Sequence, residues 1–258
     1  MNNYSNYIDN LTDWSILYNF SFVLKHGTIT LILGKDTSKD ILEIIKSDND
    51  QVKRHIWCID MTHFPIYKVK DAQFKGFSLL KKVILPICLH TIGDTAFAFS
   101  GIVTVVIPSN VHTIGKFAFL CCLNLEYVQF EENSKMIEIK HSTYKGCNKL
   151  SSCELPCTIQ IIQNSAFENC ERLNISKFPP DIREIKDFAF YGTGIENVDL
   201  SQCPNIQLVG NSTFNNCQEL TSFIFNSNES NECDNNDIVP RVTIGREAFA
   251  DCINLEIF

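Results

Sequence analysis

Much that would point to an activity is missing from this sequence. None of its apolar runs approaches the roughly 18–20 residues of a membrane-spanning helix. Met1 to Asn10 has neither a basic start nor an apolar stretch, so it does not read as a secretory signal. Positive charge is scarce: 22 Lys and Arg face 30 Asp and Glu, for a formal net charge of −8. A nucleic-acid binder would carry a basic stripe instead. The twelve cysteines include no Cys-x-x-Cys pair, which argues against zinc. His26, His55, His63, His90, His112 and His141 form no His-Glu-x-x-His motif and recur at no fixed place. Gly-x-Ser-x-Gly, the P-loop and the Rossmann fingerprint are absent as well. The residues therefore offer no candidate catalytic, cofactor-binding or metal-binding position, and the chain reads as a non-enzyme.

What is present is phenylalanine, 19 of them, in a chain that is 45% apolar and 20% charged and therefore globular in composition. Phe74, Phe97, Phe119, Phe167, Phe190, Phe214 and Phe249 recur at near-constant spacing, and Tyr144 fills the one gap. The intervals are 23, 22, 25, 23, 23, 24 and 35. A fixed period of this size marks a solenoid. A small residue precedes the aromatic: Ala96, Ala118, Thr143, Ala166, Ala189, Thr213 or Ala248. Five residues before it stands an aliphatic: Val69, Ile92, Ile114, Ile139, Ile162, Ile185, Val209 or Ile244. Three residues after it come Cys122, Cys147, Cys170, Cys217 and Cys252. An alternating segment follows, as in Leu80-x-x-Val83-x-Leu85-Pro86.

Each column has a physical reading. The alternating segment is a short strand, stopped by Pro86, Pro108, Pro156 or Pro179, which lack the donor to extend a ladder. Strands one coil apart run parallel and stack about 4.8 Å apart. Alanine lets the backbone approach while phenylalanine fills the interior. Gly93, Gly115, Gly210 and Gly245 suggest a bend with positive φ. The cysteine column suits a small, weakly polar interior side chain; disulfides remain open. Asn226 to Pro240 is a polar insertion that reads as a mobile surface loop.

These columns resemble the BspA-type leucine-rich repeat, a 23-residue class also found in treponemal surface proteins. The resemblance spans residues 69–258 as about eight repeats, the last incomplete. It implies a repeat solenoid with a parallel β-sheet on one face and short strand, turn or helical returns on the other. It also implies a surface-antigen-like interaction or adhesion module. In two respects the sequence departs from the family: the eighth unit stops at Phe258 within its strand, and no export signal is readable. The absent signal and the many thiols support an intracellular leucine-rich-repeat scaffold as the alternative, so localisation stays open between cell surface and cytoplasm.

Residues 1–68 do not fit the template and read as a divergent N-terminal cap. Within them, Ser15 to Phe22 and Thr28 to Leu33 are expected as strands around a Lys25-His26-Gly27 turn. Asp40 to Lys46 is expected as a helix capped by Thr37 or Ser38, and Ile56-x-x-Ile59-x-Met61 as a degenerate first strand.

The strand positions that point outward carry the functional expectation. Val103 and Val106, beside Ile84, make an apolar start. Glu126, Tyr127, Gln129, Ser152, Glu154, Asn174, Lys177, Glu196, Asn197 and Asp199 form a polar, mostly acidic continuation and are the candidate partner-binding residues. The partner expected there is a protein or a glycan. Of the Asn-x-Ser/Thr sequons, the one at Asn211 places its Thr213 in the small-residue column, which argues against its use.

Overall fold

The computed structural model describes residues 11–13, 15–47, 53–175, 177–225 and 242–256. The expected insertion at 226–240 lies outside them. The chain winds as a parallel β-solenoid of about eight turns with few helices.

One sheet runs along the strand side. Its order is β1 (Ser21–Lys25), β2 (Thr28–Ile32), β3 (Ile56–Asp60), β5 (Lys82–Ile84), β7 (Thr104–Ile107), β9 (Tyr127–Phe130) and β11 (Ser152–Cys153). A separate pair, β14 (Asn197–Asp199) and β16 (Ser222–Ile224), follows. Prolines turn the chain out of this side: the carbonyls of Pro86, Pro108, Pro156 and Pro179 accept N–H bonds from Leu89, Val111, Ile159 and Ile182.

Among the described residues no strand joins β11 to β14 on this side. In the coil between them Ile175, which the alternation of the other units would turn outward, is buried instead.

The column of aliphatics five residues before each aromatic forms its own ladder of two-residue strands. These are β4 (Lys68–Val69), β6 (Thr91–Ile92) and β8 (Thr113–Ile114) in one sheet. The second comprises β10 (Glu138–Ile139), β12 (Ile161–Ile162), β13 (Glu184–Ile185), β15 (Leu208–Val209) and β17 (Thr243–Ile244).

Between the two sides the aromatic column is a continuous stack. Successive ring centroids from Phe74 to Phe249 lie 5.2, 5.3, 5.4, 5.3, 5.3, 5.5 and 5.7 Å apart, and no two neighbours tilt by more than 19°. Each such contact is worth about 0.5–1.5 kcal/mol beyond the area that it buries. The backbone fixes the spacing. In each coil three N–H groups donate to the following coil, as Phe97 does to Ala118 O and Phe167 to Ala189 O, both at 2.8 Å.

The cysteine column has a donor role. The thiols of Cys122, Cys147, Cys170, Cys217 and Cys252 donate to the carbonyl of the aromatic one coil earlier, at 3.0–3.1 Å. Ser100 and Thr193 occupy the same place in the two remaining inner coils. All eleven cysteines described carry free thiols.

The structure corrects two further expectations. Gly93, Gly115, Gly210 and Gly245 do not have positive φ. They are needed for close approach instead: a Cβ on Gly93 would lie 2.7 Å from the Asp71 nitrogen. Positive φ falls two residues either side of the aromatic, as at Thr95 and Phe99 around Phe97. The other correction concerns Ser15 to Tyr18, which are helical rather than part of the first strand.

The hairpin itself forms around His26 and Gly27, both with positive φ, as a two-residue turn of this hand requires. β2 then lies parallel to β3, in the place of a preceding coil. The helix α1 (Asp40–Ser47) buries Ile41, Leu42 and Ile45. Ser38 Oγ accepts the Asp40 N–H at 3.3 Å, so serine is the cap. Thr37 instead donates to Asn19 O at 2.7 Å. To the first coil α1 is fastened by Gln73, whose Nε2 donates to Leu42 O at 2.8 Å, and by a 2.7 Å Lys70–Glu43 ion pair.

Candidate functional site

The strand face is the surface that this architecture leaves open. Alternation buries Val83, Val105, Val128 and Cys153 and turns their neighbours outward. Register then aligns them: Lys82 lies beside Thr104, Thr104 beside Tyr127, and Tyr127 beside Ser152. In the next row Val106 lies beside Gln129. Tyr127 is 51% exposed and Val106 46%, with Ile84 half-buried on β5. Next to them Lys82, Ile84, Thr104, Val106, Pro108 and Glu131 line a depression of about 300 Å³.

The candidate residues fall into two groups. Glu126, Tyr127, Gln129, Ser152 and Glu154 come together on β9 and β11 or one residue beyond them. Glu126 is half-buried, and its carbonyl accepts the Ser151 N–H at 3.0 Å. Glu196, Asn197 and Asp199 come together at β14, all exposed. Asn197 Oδ1 accepts hydroxyl bonds from Ser222 at 2.7 Å and Thr221 at 3.2 Å, so it is committed to the coil interface. The Ser201 hydroxyl and N–H hold the Asp199 carboxyl below its ordinary range. Asn174 and Lys177, both exposed, sit in the coil where the sheet breaks, between the two groups. Asn174 Oδ1 accepts the Glu196 N–H at 3.3 Å.

The exposed Trp57 escaped the sequence reading. Trp57 is the extra residue of a bulge in β3, where Ile29 and Thr30 of β2 face Ile56 and Cys58. An irregular first coil hides such a bulge, because the template gives no register there.

Among the described residues no group of His, Cys, Asp or Glu is arranged to hold a metal. No described helix is long and apolar enough to cross a membrane.

The family model for the BspA-type leucine-rich repeat region, six copies long, matches residues 59–139 and 137–258. The chain belongs to the BspA-type leucine-rich repeat family. Solved structures agree on the fold of this BspA-type chain. A leucine-rich repeat protein from Bacteroides ovatus is 23% identical, with a TM-score of 0.59 over 92% of this chain and 79% of that one. The T. pallidum leucine-rich repeat protein is 17% identical, with a TM-score of 0.57 over 92% of this chain and 88% of that one. No curated protein matches the sequence. As a BspA-type repeat, the chain is a protein-interaction module in its broad class.

Proposed function

We propose that the chain is a non-catalytic binding module that engages a protein partner through its strand face, with the centre of contact at Ile84, Val106 and Tyr127. The observation that supports this reading is the exposed Val106 beside half-buried Ile84, with exposed Tyr127 in the adjoining row, next to the depression near Lys82 and Glu131. An aromatic with apolar neighbours and a charged rim is the usual composition of an interface centre. Glu126, Gln129, Ser152 and Glu154 form the near rim. Glu196 and Asp199 extend it, and Asn174 and Lys177 bridge the two groups. Residues 1–68 serve as the cap that covers the first coil. Surface display and adhesion belong to the same reading, and a glycan is the alternative occupant.

The test compares capture by the intact chain with capture by Tyr127→Ala, Val106→Lys and the return-side variant Leu123→Ala. Proteins retained by the wild type and by Leu123→Ala should be lost from both face variants, whose melting temperatures should match the parent's. Equal capture by all four forms would refute the face. Retention of a glycan on an array, lost in Tyr127→Ala, would replace the protein partner by a sugar.

A further inference from the structure

The geometry points to a second binding surface, the outer edge of β1, and its partner is a second copy of this chain. The hairpin register places Lys25 opposite Thr28 across a two-residue turn. In such a hairpin the flanking pair exchanges both backbone bonds and the pattern alternates from there. Ser21, Val23 and Lys25 therefore spend their N–H and C=O groups on β2. Phe22 and Leu24 point theirs outward, and among the described residues these groups have no partner.

Proteins protect such edges with prolines, bulges, inward charges or very short strands. β1 has none of these: its five residues, Ser-Phe-Val-Leu-Lys, hold one charge, at the end. At the opposite end of the same sheet, β11 is two residues long.

The sequence of this edge is its own complement. When two copies meet antiparallel about Val23, Phe22 of each falls opposite Leu24 of the other, and each such pair exchanges two backbone bonds. Val23 falls opposite Val23 in the closely spaced pair that forms no bonds of its own. Lys25 falls opposite Ser21, so no like charges meet. Apolar surface is already exposed where the partner would sit: Val23 is 52% exposed and Leu24 38%. A few residues upstream Ile16 is 78% exposed and Leu17 70%. The result is a dimer whose strand-side sheet runs unbroken from one solenoid into the other.

The test is the mass of the full chain in solution, by light scattering and sedimentation. The wild type should reach twice the chain mass as concentration rises. Val23→Lys puts two like charges directly opposite each other and should stay monomeric, as should Val23→Glu. An equal mixture of the two variants should recover the dimer. Tyr127→Ala, on the strand face, should dimerise like the wild type, which separates this edge from the face proposed above. A second readout needs no variant: the Phe22 and Leu24 amides should exchange more slowly with solvent as the wild-type concentration rises. A wild type that remains monomeric would overturn the proposal. So would a dimer that survives Val23→Lys or is lost in Tyr127→Ala, a mixture that fails to recover it, or exchange independent of concentration.

Discussion

Replacing Phe167 by alanine tests the core of the argument, because this ring has neighbours at 5.3 Å on both sides and is fully buried. A buried aromatic side chain removes about 150–250 Å² from water. At about 25 cal/mol per Å² the upper limit is about 4–6 kcal/mol. Alanine keeps a little of that area, and the two lost ring contacts add to the cost. The hole cannot close, because coil spacing is set by backbone bonds such as Tyr144 N–H to Ala166 O at 2.9 Å and Phe167 N–H to Ala189 O at 2.8 Å. The expected loss is about 3–5 kcal/mol, read as a fall in the urea midpoint at unchanged slope. Phe249 supplies the comparison: it is only half-buried and stacks on one column neighbour, Phe214, at 5.7 Å. Phe249→Ala should cost about 1–2 kcal/mol, in proportion to its lesser burial. A loss below about 1 kcal/mol at Phe167, or equal losses at the two sites, would refute the load attributed to the interior stack.

Two further expectations concern exceptions within the columns. Tyr144 is the one tyrosine among the stacked rings, and its buried hydroxyl has no hydrogen-bond partner among the described residues; Tyr144→Phe should raise stability by about 1 kcal/mol, and a lower urea midpoint would contradict this. Burial pushes the Cys153 thiol up from 9.0 to about 12, so the unfolded chain loses this proton first. The neutral thiol's contribution is complete below pH 9.0 and is lost as pH rises toward about 12. Cys153→Val, which repeats the Val128 of the preceding strand, should flatten the alkaline fall in melting temperature; an unchanged profile would assign that fall to other groups.

The parts of the fold that repeat were legible, because each column answers to one demand. Phenylalanine at 74, 97 and 119 has to fill an interior, and Val83, Val105 and Val128 have to alternate. Backbone conformation was less legible. Positive φ occurs at Phe99, Phe117 and Phe188, bulky residues held there by the coil-to-coil bonds rather than by their own preference. The glycines expected to supply it answer to crowding against Asp71 and its equivalents. Alternation failed at Ile175, which is buried although the repeat would turn it outward. The strand face was read from the same alternation. Its division at Asn174 and Lys177, and the exposure of Trp57 in a bulge, depend on pairing across coils that a single sequence does not print.

The bonds that space the aromatic stack also have a direction. From Ala72 through Asn216, the three amides of each coil around the aromatic all donate forward, and the carbonyls that receive them all face backward. The strand-side sheet has no such bias, since parallel ladders donate both ways. One flank of the solenoid is thus a row of aligned peptide dipoles, with its positive pole toward the C-terminal coils and its negative pole toward the first. Aligned peptide units add in this way along a helix axis, and charges of the opposite sign settle at the poles. Lys46 of α1 sits accordingly, with its ammonium on the Asp71 carbonyl at 3.1 Å. That places a cation at the negative pole, so the helix that fastens the N-terminal segment also neutralises the field of the coils behind it.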